Sequence, residues 1–580
     1  MAREWSALSR QTTLERLGKE SWDLLIIGGG ITGAGIALEA ALRGLKVALV
    51  ERNDYASGTS SKSSKLLHGG LRYLEHMEFK LVKEALTQRN KLFKHAPHLA
   101  KELPFLYPIY RENGDSLSVM DAGLWLYDGF SSMSGFNRAR LHRRIKPKEA
   151  LDREPSLKED GLKGALTYVD GLTEDARMVV ETLKTAIRWG AAITNYTEVT
   201  SFQHGPDGKV TRVLVKDRMS GQEISVHARS VINAGGPWVD RINQMDNPDA
   251  ERKLKPTKGI HIVTRKVTDH ALIVKSRPED GKRRWMFIIP YFGRTLIGTT
   301  DTAHADAEGD RFLDDDVYAK ADEIRYVLQA ANDAIPGAHL SEADVISTFG
   351  GWRPLIAPTA DVSESDISRE HEVFQTPSGI IAIAGGKYTT FRSMARQVVD
   401  FAAKTLRDEG WIADSKKRHS DDLPLEGGDI PVDSFEEYVS YSLRQHPGIE
   451  SSLVKRLIEK YGTNYRQVLA LLEADRGLDR EVSGLSPEAQ LIRAEIAYMV
   501  RFEQALTLSD VMMRRTRIHL LDADQGLRAA EEIALTMSQI LQSLIGWDES
   551  YRQAWSDREI AAYRQEVRNG REAALVPLQG

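Results

Sequence analysis

Three glycines and one acid carry the first recognisable chemistry in this chain of 580 residues. Gly28, Gly30 and Gly33 stand in the spacing G-x-G-x-x-G, and Glu51 ends the next apolar run. Glycine at 28 permits a tight turn, glycine at 30 lets backbone approach a pyrophosphate, and glycine at 33 lets a helix pack close to a strand. The helix that follows offers free N–H groups to anionic oxygens, and Glu51 can accept from a ribose hydroxyl. The pattern reads as a dinucleotide site, with NAD and FAD both open at this point. The continuation GTSSKSSKLLHGGLRYLE, residues 58–75, goes beyond what a simple nicotinamide dehydrogenase needs. Its hydroxyls (Thr59, Ser60, Ser61, Ser63, Ser64), Lys65, His68 and Gly69-Gly70 can wrap the far half of a long cofactor. Arg72 can then reach an anionic substrate.

The elements that position these residues follow from hydrophobic periodicity. Residues 23–28 read as an apolar strand, 31–43 as a helix stopped by Gly44, and 46–50 as a second strand. A regular βα series does not continue. Residues 79–96 read as a helix, while 103–111 and 116–127 are apolar segments broken by Gly and Pro. Residues 173–189 read as a helix and 191–199 as a strand, and 211–217 with 222–228 alternate like a hairpin. Residues 230–234 form a compact strand running into Gly235-Gly236-Pro237-Trp238. Residues 260–264, 285–290 and 295–299 suggest a separate antiparallel sheet, and 379–384 are a buried strand ending in GGKYTT.

The expected organisation is a discontinuous dinucleotide domain over 20–95, 170–245 and 350–405, interrupted by a β-rich substrate domain over 96–169 and 246–349. A polar linker at 406–433 leads to a helical domain at 434–580. Composition narrows the chemistry. Without cysteine there is no disulfide, thiolate nucleophile, zinc-thiolate site or iron–sulfur ligation, and no metal site is expected. The net charge of -5 implies no general attraction to nucleic acid. The N-terminal residues are polar, and no stretch reaches the ~18–20 apolar residues of a membrane span. The expectation is a soluble protein or one held at a membrane surface.

Several ordered blocks carry a family resemblance: the run from Gly28 to Glu75, then INAGGPWVD, KGIHIV, GWRPL, SRE and GGKYTTFR. In this order they resemble the FAD-dependent, respiratory glycerol-3-phosphate dehydrogenases of bacteria, over about residues 22–392 and more weakly at 494–520. The resemblance implies an α/β protein with a glutathione-reductase-like FAD-binding Rossmann domain, an inserted β-rich substrate domain and an all-α C-terminal domain. It also implies oxidation of sn-glycerol 3-phosphate to dihydroxyacetone phosphate, with electrons passed to a membrane quinone. The block LRY gives Arg72 and Tyr73 as phosphate-side contacts, GGKYTT gives Lys387 and Thr390, and SRE gives Arg369 near the reacting carbon. KGIHIV gives His261 and GWRPL gives Arg353. The cofactor set expected from these blocks is Gly28, Gly30, Ile31, Thr32, Gly33, Glu51, Arg52, Thr59, Ser60, Ser61, Ser64, Lys65, Leu67, His68, Gly69 and Gly70. Val199, Ala234, Gly235, Trp238, Gly386, Lys387, Tyr388 and Thr389 complete it. Tyr388 departs from the Leu of many relatives.

The residue chemistry suits this. A phosphate needs cations that also donate hydrogen bonds, and Arg72, Arg353, Arg369 and Lys387 each adjoin a glycine turn or a strand end. A flavin accepts the hydride from C2, and a helix starting near Thr389 would direct positive potential at the reduced ring. A base must take the hydroxyl proton: His261 is the first choice and His68 the second, with Arg353 orienting the hydroxyl. The basic run RARLHRRIKPK, residues 138–148, suits an anionic membrane surface, placing the protein peripherally on the inner face of the cytoplasmic membrane. Arg514, Arg515 and Arg517 read as structural, Trp5 as a possible interface residue, and a homo-oligomer stays open. The nearest alternative is a soluble alpha-glycerophosphate oxidase that uses oxygen and releases peroxide. Others are a flavin dehydrogenase for a non-phosphorylated substrate and a silent flavoprotein whose tail binds partners.

Overall fold

The computed structural model describes the chain apart from residues 1–3, 76, 114, 134–140, 277–283, 304–316, 358–369, 414, 417, 433 and 575–580. Its described residues form two large sheets and a helical third body.

The first sheet is built around strand Ser21–Ile27, whose run of apolar side chains is buried on both faces, as a central parallel strand requires. It pairs in parallel with Val47–Val50 on one side and Glu223–Asn233 on the other. Ala192–Thr194 and Ile381–Gly385 extend this parallel core. The hairpin Val210–Asp217 with Glu223–Asn233 adds an antiparallel wing. Helix Ile31–Leu42 packs between helices Asp175–Arg188 and Phe391–Asp408, so it is apolar almost all round.

The second sheet joins Ala100–Tyr110, Leu162–Thr173, Thr257–Arg265, Ala271–Ser276, Arg284–Tyr291, Arg294–Gly298 and Val345–Arg353. Its first strand contains Pro104 and Pro108, paired opposite Val169 and Ala165. Those prolines make residues 103–111 read as a broken segment, yet they sit inside an eleven-residue strand. The expected apolar segment 116–127 also differs: from Leu117 onward it belongs to a continuous helix, Leu117–Met133. The short strand Leu66–Leu67 pairs with this second sheet, although it lies in the same glycine- and serine-rich extension as the dinucleotide motif.

The expected linker is tied down rather than free. Asp421 accepts from Lys91 and Arg396, and the backbone N–H of Ser420 donates to Glu39 at 2.8 Å. Trp5 is 4% exposed and packs on Tyr55 with ring centres 5.0 Å apart. Its backbone bonds to Arg501 and Gln504. It clasps the helical domain to the first sheet and is not placed at an interface. The basic cluster beyond it is structural: Arg514 and Arg515 converge on Asp54, and Arg517 pairs with Glu174.

Candidate functional site

The glycine motif forms a cradle at the carboxyl end of the first sheet. Gly28 has φ of +111°, and a Cβ there would lie 2.5 Å from the Ala234 carbonyl oxygen. A Cβ on Gly33 would lie 1.9 Å from the Gly28 carbonyl, so helix and strand approach as closely as backbone allows. Above the turn lies a cavity of about 230 Å³, running from Glu51 past Thr197 and Val199 to Gly386 and Lys387. At one end the Glu51 carboxylate accepts from the N–H groups of Gly29 at 2.6 Å and Asn53 at 2.9 Å. Burial nevertheless holds its pKa above the ordinary carboxylate range. A ribose hydroxyl donating to it would supply what it lacks. The buried indole N–H of Trp238 also has no partner among the described residues. These features fit a dinucleotide.

A second, smaller cavity of about 130 Å³ adjoins the first. The two share walls: Ser63 lines one and Ser64 the other, Pro354 one and Arg353 the other. Lys387, on the first, places its ammonium 3.3 Å from the ring centre of Tyr73, on the second. Arg353 enters the second cavity from the end of strand Val345–Arg353. Its guanidinium donates to the Thr299 hydroxyl at 2.7 Å, the Thr300 carbonyl at 2.8 Å and Asp301 at 2.9 Å. Gly259 makes room for it, because a Cβ there would lie 2.3 Å from the guanidinium.

His261 stands on the neighbouring strand, stacked on Phe349 at 4.8 Å. Its Nε2 lies 2.9 Å from the Ser64 hydroxyl, and its Nδ1 has no partner among the described residues. Burial, then the charges of Arg353 and Lys65, hold its pKa well below the usual histidine value, so the ring is neutral.

Comparison with known proteins gives this geometry a lineage. Residues 23–392 match the family of FAD dependent oxidoreductases, and residues 419–552 match the C-terminal domain of alpha-glycerophosphate oxidase. The chain is 35% identical over 554 residues to the aerobic glycerol-3-phosphate dehydrogenase of Bacillus subtilis, an alignment covering 95% of this chain and 96% of that one. It is 36% identical over 562 residues to glycerol-3-phosphate dehydrogenase 2 of Mycobacterium tuberculosis, covering 96% and 90%. The chain belongs to the FAD-dependent glycerol-3-phosphate dehydrogenase family. A solved glycerol-3-phosphate dehydrogenase from Bacillus halodurans, complexed with FAD, is similar over 99% of both chains with a TM-score of 0.76 and 29% identity.

FAD is therefore the cofactor of this chain, and the larger cavity fits a dinucleotide. Of the residues expected from sequence, Gly28, Gly30, Ile31, Thr32, Glu51, Arg52, Thr59, Ser60, Val199, Ala234, Gly235, Trp238, Gly386, Lys387 and Tyr388 line it. The Ser60 hydroxyl accepts the N–H of Ile31 at the helix N-terminus, at 2.9 Å. Ser64, His68 and Gly70 line the second cavity instead. The others stand behind these walls. Lys65 is a buried ion pair with Asp175 at 2.7 Å and also bonds the Ser61 carbonyl. Leu67 pairs into the second sheet, Gly69 donates to Tyr127, and the Thr389 hydroxyl accepts the N–H of His68. Thr390 is buried and bonds the Lys387 carbonyl within its own turn. Tyr388 donates to the Asp175 carbonyl at 2.5 Å, which ties the Gly-Gly turn to the Lys65 pair. Arg369 lies outside the described residues, as does the side chain of Arg72.

Sequence reading missed part of both cavities. Glu198, Arg241 and Met245 line the first; Tyr168, Asp170, Arg284, Phe287 and Asp301 line the second. Asp170 is a buried carboxyl bonded to Arg89 and Tyr127, with its pKa raised by burial. Nothing in the spacing of these residues distinguishes them. Pairing of the second sheet brings Tyr168, Asp170, Arg284 and Phe287 together.

Proposed function

We propose that this protein oxidises sn-glycerol 3-phosphate at C2 to dihydroxyacetone phosphate and delivers the electrons to a membrane quinone. The observation that carries the reading is the shared wall: a cavity that fits a dinucleotide adjoins a small cavity lined by Arg353 and Arg284, with a buried imidazole behind it. The names of the relatives support the substrate. Bound FAD supplies a two-electron acceptor able to take hydride from a carbon.

The chain's own residues do the rest. Gly28, Gly30 and the N-terminus of helix Ile31–Leu42 face the pyrophosphate, and Glu51 holds the ribose. In the second cavity Arg353 orients the C2 hydroxyl and favours its ionised form, while Arg284, and Lys387 on the adjoining wall, draw the phosphate, a role the family resemblance also gives to Arg72. The hydroxyl proton passes to His261 through Ser64, which lines the cavity and whose hydroxyl lies 2.9 Å from Nε2. His68, on the cavity wall itself, is the alternative acceptor; comparing turnover of His261→Ala and His68→Ala decides between them. The deciding experiment for the whole reading is anaerobic addition of glycerol 3-phosphate to the yellow protein. Bleaching of the flavin by the phosphorylated compound, and not by glycerol, is expected; no bleaching refutes the reading.

The quinone acceptor and a peripheral place on the inner membrane face belong to the same proposal. Among the described residues no helix is long and apolar enough to cross a membrane. The C-terminal match to alpha-glycerophosphate oxidase favours oxygen as a second reading. Turnover with a quinone analogue under nitrogen, set against peroxide formed in air, separates the two.

A further inference from the structure

Glu51, the acid at the strand end, begins a stretch that forms no helix or strand through Gly58. This loop returns to the glycine turn: the Ala56 N–H donates to the Gly29 carbonyl at 3.1 Å, and the Gly29 N–H donates to Glu51. Ala56 sits at φ of +61°, in the left-handed region that a residue with a Cβ keeps only when its surroundings hold it there. The hold comes from the helical domain. Asp54 is 1% exposed and receives two arginines at once. Arg515 reaches its two carboxylate oxygens at 2.7 and 2.9 Å, and Arg514 bonds the nearer of these as well. Both arginines come from one π-helical turn, Asp510–Arg515, a rare form that recurs at functional sites. Beside them Tyr55 donates to the Gln504 side chain at 2.7 Å, and Asn195 bridges Asp54 and the Gln504 carbonyl. Burial would push the Asp54 pKa up; the charges of Arg515 and Arg514 outweigh it and hold the carboxyl below the ordinary range.

We propose that the helical domain is a clamp on the cofactor site: Arg514 and Arg515, acting through Asp54, position the Glu51–Ala56 loop for FAD. Docking of that domain and binding of the flavin then stabilise each other. Linkage makes the effect reciprocal, so what loosens the domain weakens FAD, and removal of FAD loosens the domain. The inference rests on FAD as the cofactor and not on the substrate or the electron acceptor. A tie that only joined the domains would serve anywhere along their boundary, and the boundary provides one for comparison. Tyr498 of the helical domain accepts from Lys184 of helix Asp175–Arg188 at 2.6 Å, and among the described residues neither bonds to residues 51–56.

The test follows FAD release on dilution of the holoenzyme, with domain docking read in parallel as the rate of trypsin cleavage within residues 406–433. Arg514→Lys with Arg515→Lys keeps both charges but loses the fork on Asp54, and FAD should dissociate about tenfold more readily. Tyr55→Phe loses one hydroxyl bonded across the boundary and should weaken FAD about threefold. Tyr498→Phe loses a comparable hydroxyl and should hold FAD as the parent does. With saturating FAD each variant should recover the parent's flavin absorption spectrum, which an unfolded chain cannot do. Removing FAD from the parent should speed cleavage about fivefold or more, and in the double arginine variant the rate should no longer depend on FAD. The proposal is overturned if the folded arginine variant retains FAD as the parent does, if Tyr498→Phe loses as much as Tyr55→Phe, or if FAD leaves the parent's cleavage rate unchanged. Should the arginine variant not recover the spectrum, the comparison of Tyr55→Phe with Tyr498→Phe decides alone. Absence of bleaching by glycerol 3-phosphate would refute the substrate reading and leave each of these outcomes as it stands.

Discussion

The two adjoining cavities are built by different means. The larger is shaped by backbone: glycine turns, the first N–H groups of a helix, and one acid at a strand end. The smaller is shaped by side chains that several separate strands and loops contribute, from Ser64 to Arg353. A backbone cradle tolerates almost no added atom, whereas a side-chain pocket can lose one member and keep its walls. If binding and chemistry are divided between the cavities as proposed, substitutions in each should fail differently.

The largest effect is expected at Gly33. Valine there would push Cβ into the Gly28 carbonyl, 1.9 Å away, with no flexible neighbour to yield. Gly33→Val should yield protein without flavin, or no soluble protein, read from the ratio of flavin to protein absorbance. A fully yellow variant would break the comparison at its root. Next come Arg353→Ala and His261→Ala, for which we expect at least tenfold lower kcat with flavin content near that of the parent. Loss of flavin in either would mean that the second cavity helps to hold the cofactor, and normal kcat would remove that residue from the reaction. Glu51→Ala is smaller. Losing a charge-assisted hydrogen bond costs about 1.5–3 kcal/mol, so FAD should dissociate about tenfold or more above its parent concentration. Unchanged retention on dilution would show that backbone alone suffices.

The same division explains what can be read from the sequence. Glycine spacing is itself a record of backbone geometry, so the residue types between positions 28 and 51 are enough to place the cradle. Ser64 and His68 read as cofactor residues because they are continuous in sequence with the glycine motif, and they line the second cavity. Asp170, Arg284 and Asp301 leave no trace: a lone charged residue on a strand or in a connection has the same appearance whether it faces solvent or a cavity. Their positions depend on register, such as Thr257 opposite Arg353 and His261 opposite Phe349, which single-strand periodicity does not encode. The helix at Leu117–Met133 is obscured for a related reason. Its apolar residues occupy both faces, so the one-sided pattern that marks a surface helix is absent.

The smallest predicted effect concerns histidines on either side of this divide. Burial holds His261 neutral, pushes His519 down to about 3, and leaves His95 at about 4. In the unfolded chain each would titrate near 6.5. Their folded values lie lower, so the unfolded state takes up the extra protons as pH falls below about 6.5. The corresponding stability is present above that pH and is lost below it, by up to about 1.4 kcal/mol per pH unit for each fully buried ring. His519 sits in the helical domain, bonded to Tyr563 at 3.1 Å and away from the second cavity's wall. His519→Gln should therefore flatten the fall of Tm between pH 6.5 and 5 without changing kcat at pH 7.5. Removing His261 should flatten the same slope and lower kcat at least tenfold as well. If the two variants lower activity equally, the neutral imidazole beside Ser64 has no role that burial alone does not explain.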